Sequence, residues 1–215
     1  MGGHGRTYET FKESSWHDWR QPVMEEYQRL EQAGYTNISL TGSSTGCPIL
    51  LEMPAGDFFK NRLKPNNIFF IDPVVIPSDK FLTLVGVAGP VLGYVEADNN
   101  PDEDKYYYHY RPYETLKELR NLINIVRRDL QKGITLLPGS QLKLYKSEPD
   151  NSADPVSAVL IYKGVKNSDG KPVEVDMVDS DLHVFTRLDF CQEVTTQDRE
   201  NQRLAFEDIV TRLTR

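Results

Sequence analysis

Ser44 stands in Gly42-Ser43-Ser44-Thr45-Gly46, a serine with glycine two residues to either side. The apolar run Ile38-Ser39-Leu40-Thr41 leads into it, and Pro48-Ile49-Leu50-Leu51 leaves it as a helix-like segment. A serine at such a strand-to-helix turn sits at strained backbone angles with its Oγ projecting from the top of a sheet, and bulky neighbours would not fit. The chemistry this serves is nucleophilic attack on a carbonyl carbon. The serine then needs a base to take its proton and an acid to orient that base. Asp150 and His183 follow in the chain, in the order Ser…Asp…His. The other reading of the pentapeptide is an ordinary glycine turn, so the placement of the partners decides between the two.

Several other function classes are excluded by composition. The chain has 215 residues, enough for one domain with a substantial core. Acidic residues outnumber basic ones by 32 to 25, a net charge of −7 that argues against nucleic acid or an anionic membrane surface as partner. Part of that excess is local, in the loop Glu96-Ala-Asp-Asn-Asn-Pro-Asp-Glu-Asp104. The two cysteines, Cys47 and Cys191, provide neither a disulfide framework nor a metal-ligand cluster, which suits a reducing, cytoplasmic compartment. No run is long and apolar enough for a membrane-spanning helix, and the sequence begins without a signal-peptide pattern.

The elements that must position these residues alternate between strand and helix. A helix over Ser15–Ala33 is predicted by Trp16, Trp19, Val23, Tyr27 and Leu30 at helical spacing, with Ser14 or Ser15 as cap and Gly34 as stop; the two tryptophans read as packing residues. A strand over Asn37–Thr41 precedes the turn, and the helix after it should be short or broken because of Pro54 and Gly56. Asn67–Ile76 is a strand apolar on both faces, as in a buried parallel sheet. Residues 77–112 mix apolar, glycine-rich and tyrosine-rich stretches (Phe81–Val95, then Tyr106-Tyr107-Tyr108-His109-Tyr110) and read as a cap inserted over the site. Tyr113–Lys132 is the clearest helix, Gln141–Lys146 a strand, Pro155–Tyr162 a short helix and Pro172–Val178 the last strand. A final helix from Thr196 to Leu213 is expected to turn Leu204, Phe206, Ile209, Val210 and Leu213 inward. Such alternation specifies an α/β fold with a largely parallel sheet.

In such a sheet functional groups gather at the carboxyl ends of strands. Ser44 follows the first strand, Asp150 the third and His183 the last. With Gly3-His4-Gly5, Ser15-Trp-His-Asp-Trp-Arg-Gln-Pro-Val-Met24, Gly42–Gly46, Glu114-Thr-Leu-Lys-Glu-Leu119, Asp150-Asn-Ser-Ala-Asp-Pro-Val-Ser-Ala158 and His183-Val184, the sequence resembles the small carboxylesterase and monoacylglycerol-lipase branch of the α/β-hydrolases over nearly its whole length. The resemblance implies an α/β-hydrolase-like, mostly parallel sheet with flanking helices in one domain over 1–215, with the cap at 77–112. It implies Ser44 as nucleophile, His183 as base and Asp150 as triad acid, Asp154 being the alternative and Asp179 and Asp181 more remote ones. The Thr45 backbone N–H would be an oxyanion-hole donor. No metal or cofactor is called for. The substrate class implied is a small-molecule ester, short- to medium-chain or monoacylglycerol-like.

The resemblance has gaps. Relatives carry several strands and a helix ahead of Gly-His-Gly, and a loop there supplies the second oxyanion donor; nothing in this sequence corresponds to it. The expectation is a sheet lacking its N-terminal strands, with an open edge beside Ser44 through which a homodimer could form. Losing one oxyanion donor typically costs about 10²–10³ in turnover. The alternative to an esterase is therefore a weakly active or non-catalytic relative serving as a binding or assembly module. Pro54, and Leu182 where relatives have glycine, are smaller departures.

Overall fold

Phe69 and Ile71 point to one side of the central sheet while Ile68 and Phe70 point to the other, and all four are buried. That alternation, apolar on both faces, calls for helices above and below. The computed structural model describes residues 5–78, 93–97, 99, 101, 104, 107–191 and 193–214. Its central sheet is parallel throughout and ordered β1 (Leu40–Ser43), β2 (Asn67–Ile71), β6 (Gln141–Glu148), β8 (Glu174–Asp179). Ser43 pairs with Ile71, Ile71 with Tyr145, and Glu148 with Asp179, so the four carboxyl ends lie along one rim. Among the described residues β1 pairs only with β2, leaving its other side unpaired.

One face is covered by α2 (Trp16–Gln32), α3 (Gly46–Ala55), α4 (Tyr113–Lys132) and α5 (Val156–Gly164). Trp19, Tyr27, Met53, Leu122, Val126 and Ile161 are buried there with Ile68, Phe70 and Leu144. Ser15 starts α2 by accepting from the Asp18 N–H while Asp18 reaches back to the Ser15 N–H, a reciprocal cap. Both tryptophans pack in this layer, as their spacing predicted. α3 is short, with Pro54 at its penultimate position. A preceding helix, α1 (Tyr8–Glu13), capped by Thr7, has no counterpart in the sequence expectation. Two small sheets complete the chain: the antiparallel pair β3 (Tyr94–Glu96) and β4 (Tyr110–Pro112), and the parallel pair β5 (Ile134–Thr135) and β7 (Val165–Lys166). The expected cap at 77–112 falls largely on positions outside the described residues; its described part contains the β3–β4 pair.

Two expectations are corrected. The strand from Asn67 ends at Ile71 rather than Ile76, because Asp72 adopts φ 46° and Pro73 has no N–H to donate. The final helix, α6 (Thr196–Leu213), does not turn its large apolar residues inward: Leu204, Phe206, Val210 and Leu213 are all exposed. It docks on the second sheet face through Asp198, Gln202, Ala205, Ile209 and Arg212, one stripe at helical spacing. Small Ala205 permits the close approach, and hydrogen bonds supply the rest. Among the described residues no helix is long and apolar enough to cross a membrane.

Candidate active site

The site is built where the four parallel strands end. Ser44 comes one residue after β1 and holds φ 48°, a left-handed conformation that a serine adopts at a cost. Its N–H is bound by Ile71 O, and its own carbonyl accepts from the Cys47 N–H, so the turn is locked to β2 and to α3 together. A Cβ on Gly42 would meet the Gly46 carbonyl carbon and Leu50 Cδ1 at 3.0 Å; the turn can be this tight only with glycine there.

Asp150 leaves β6 by two residues and is 4 % exposed. Its Oδ1 accepts from the N–H groups of Ser152 and Ala153, at 2.8 and 3.0 Å. Its Oδ2 faces His183 Nδ1 at 2.9 Å. On the other side of the ring, His183 Nε2 lies 2.8 Å from Ser44 Oγ. The three residues predicted from the sequence therefore form one continuous hydrogen-bonded line. Asp154, the alternative acid, instead accepts from the Val156 N–H at the start of α5. Neither Asp179 nor Asp181 enters a hydrogen bond with His183 among the described residues.

The loop carrying His183 is held from three sides. Ser180 Oγ donates to Asp198 and accepts from the Leu182 N–H, Gln202 donates to the Thr186 carbonyl, and the Phe185 N–H donates to Asp72 Oδ2. Val184 turns the chain at φ 58°. Thr45 heads α3, and among the described residues its N–H has no protein acceptor, which leaves it available to an anionic oxygen.

Electrostatics support a charged Asp150 and an inert Cys47. Burial by itself would push the Asp150 carboxyl up; the hydrogen bond and charge of His183, Lys146 Nζ and the Ala153 N–H outweigh it and hold the group well below the usual carboxylate range. Burial raises the Cys47 thiol well above its ordinary value, so the sulfur one turn from Ser44 is no rival nucleophile.

Sequence reasoning missed two residues here. Asp72, just past β2, receives the Ser147 N–H, the Ser147 hydroxyl, the Phe185 N–H and Lys146 Nζ. Lys146, inside β6, reaches both Asp72 and Asp150. Asp72, Asp150 and His183 offer ligand atoms within 4.8 Å of one another, a spacing that a metal ion could use. Lys146 already brings a positive charge to both carboxylates, so this donor set has little call for a second cation. In the sequence Asp72 stands just past an apolar strand, whereas Lys146 is one of several polar residues on β6, so little marked either of them. A groove between α2 and α4, lined by Trp16, Asn124 and Arg128, shares no residue with this site.

No protein-family model matches the chain. The thermostable monoacylglycerol lipase of Bacillus sp. strain H-257 is 26% identical over 193 residues, covering 89% of this chain and 72% of the lipase. Among solved structures, a metagenome-derived lipolytic enzyme superposes with TM-score 0.73 at 19% identity, over 99% of this chain and 79% of its own. The monoacylglycerol lipase of Paleococcus ferrophilus superposes with TM-score 0.66 at 14% identity, over 99% and 81%. The parallel sheet, the turn at Ser44 and these superpositions define the chain as an α/β-hydrolase-fold protein. Within that fold, its sequence is similar to that of the Bacillus monoacylglycerol lipase.

Proposed function

We propose that the chain is a serine hydrolase that cleaves carboxylic esters through an acyl-enzyme. The observation that carries this reading is the unbroken line from Ser44 Oγ through both nitrogens of His183 to Asp150 Oδ2. A structural serine in a glycine turn, or a binding-only role, places no requirement on that line.

In this reading His183 Nε2 takes the Ser44 proton as Oγ attacks the ester carbonyl, and later returns a proton to the leaving alcohol. Asp150 fixes the tautomer with the proton on Nδ1 and stabilises the imidazolium as it forms. The Thr45 N–H, at the start of α3, meets the negative charge that develops on the carbonyl oxygen. Water then repeats the sequence on the acyl-enzyme, so no metal or cofactor takes part. A monoacylglycerol or a short- to medium-chain ester is the substrate class that the likeness to monoacylglycerol lipase favours. The apolar stretch between Phe81 and Val95 is the segment suited to receive the acyl chain, in keeping with a cap at 77–112. Cys47 is a buried, free thiol, which suits a cytoplasmic setting.

The test uses p-nitrophenyl butyrate, a monoacylglycerol and a fluorophosphonate probe. The wild-type protein is expected to hydrolyse the esters and to be labelled at Ser44. Ser44→Ala should lose the label and reduce turnover by about 10⁴–10⁶-fold. A wild-type protein that neither turns over any ester nor accepts the probe would sink the reading.

A further inference from the structure

Lys146 has no part in the steps above, yet it is the most enclosed charge beside them. Its side chain is wholly buried, as are both of its partners: Nζ stands 2.5 Å from Asp150 Oδ2 and 3.2 Å from Asp72 Oδ1. A buried ion pair adds little stability over apolar residues of the same size, because both charges must leave water. A fully buried strand position that follows Leu144 and Tyr145 could have taken such a residue, so stability alone does not account for the lysine. What singles out the position is that Asp150 Oδ2 receives Lys146 Nζ and His183 Nδ1 at once.

We propose that Lys146, anchored by Asp72, is a positioning residue for the Asp150–His183 pair, holding Asp150 Oδ2 in line with His183 Nδ1 and withholding part of its charge from the imidazole. The inference rests on the reading of Ser44, His183 and Asp150 as nucleophile, base and acid. The bookkeeping of charge is simple. Asp72 and Lys146 cancel, which leaves Asp150 alone to balance the imidazolium formed in the reaction. Without Lys146, two buried carboxylates would face one imidazole and favour its charged form in the resting state.

The other groups around the ring are already engaged or neutral. Ser44 comes from the turn after β1, and the Cys47 thiol from α3 faces Asp72 and Lys146 in its protonated form. On the loop of His183 itself, Asp181 is exposed and Arg187 bonds the Tyr107 hydroxyl. From α6, Asp198 is taken up by Ser180 and Thr195. Among the described residues Lys146 is thus the buried cation that touches the triad acid.

The experiment follows the His183 imidazole by NMR through a pH titration without substrate, assigned by comparison with His183→Gln, and then records the pH profile of kcat/KM. In Lys146→Met the His183 midpoint and the acid limb should move upward together by about one pH unit or more, with KM little changed. Lys146→Gln keeps a hydrogen-bond donor and loses only the charge; it should move them in the same direction, and it carries the test if Lys146→Met does not fold. Adding Asp72→Asn removes one charge of each sign and should bring the midpoint part of the way back. A midpoint that stays put in a folded Lys146→Gln protein overturns the proposal, and so does a double variant that shifts as far as the single one. The midpoint is read without turnover. Absence of Ser44-dependent hydrolysis would therefore fail the functional reading, and an unmoved midpoint would fail this one.

Discussion

The two glycines beside Ser44 are not held to their size by the same forces. A methyl group at position 42 would lie 3.0 Å from the Gly46 carbonyl carbon and 3.1 Å from the Cys47 N, backbone atoms that cannot move aside without shifting α3. At position 46 nothing lies within 4 Å of a built Cβ, and the residue is the first of a helix. Gly42→Ala should therefore destabilise the protein by about 1–3 kcal/mol. Gly46→Ala should be neutral or stabilising by up to about 1 kcal/mol. Urea denaturation of the two variants measures both, and equal losses would contradict the argument. The pentapeptide was legible in the sequence because its spacing is local; which glycine the packing requires was not, because the atoms that crowd position 42 belong to the following helix. Asp72 and Lys146 escaped the sequence for a related reason. They are 74 residues apart, and only the parallel pairing of β2 with β6 brings them together.

At the scale of elements, α6 shows how far an apolar count can mislead. Its large hydrophobic residues suggested an inward face, but the docked stripe is mostly polar and is bonded to the loop that carries His183. Asp198 is central: one oxygen receives the Ser180 hydroxyl at 2.7 Å, the other the Thr195 N–H and hydroxyl. Replacing it by alanine leaves Thr195 and Ser180 without their acceptor. Asp198→Ala should cost about 1–3 kcal/mol and speed hydrogen exchange at the Leu182 N–H, which is held by Ser180 Oγ. Val210→Ser, on the exposed side, should change stability by less than about 0.5 kcal/mol. The helix bounds themselves were readable, Thr196–Leu213 and Tyr113–Lys132 both matching the predicted spans, because caps and periodicity are written in neighbouring residues. The face that packs depends on what the rest of the chain presents.

For the molecule as a whole, the parallel register gathers Asp72, Asp150 and His183 at one rim, and Asp198 anchors the helix beside it. This concentration of enclosed carboxylates sets the response to acid. Hydrogen bonds and neighbouring positive charge outweigh burial at Asp150, and hydrogen bonds from Thr195 and Ser180 do so at Asp198; both are held below the ordinary carboxylate value. A carboxylate with a depressed native pKa binds fewer protons than its unfolded counterpart near pH 4, so the free energy of unfolding rises with pH in that range. Its contribution is complete above the unfolded value of about 4 and is lost as pH falls through the lower folded value. Stability should accordingly be level between about pH 5 and 7 and drop steeply below about pH 4. Asp150→Asn removes one such group. It should lower stability at pH 7 by about 1–3 kcal/mol and flatten the acid limb, so that the variant and wild-type curves draw together at low pH. Urea midpoints between pH 3 and 7 test this directly. Parallel curves, with the same acid slope in both proteins, would mean that Asp150 is not held as a carboxylate by His183 and Lys146.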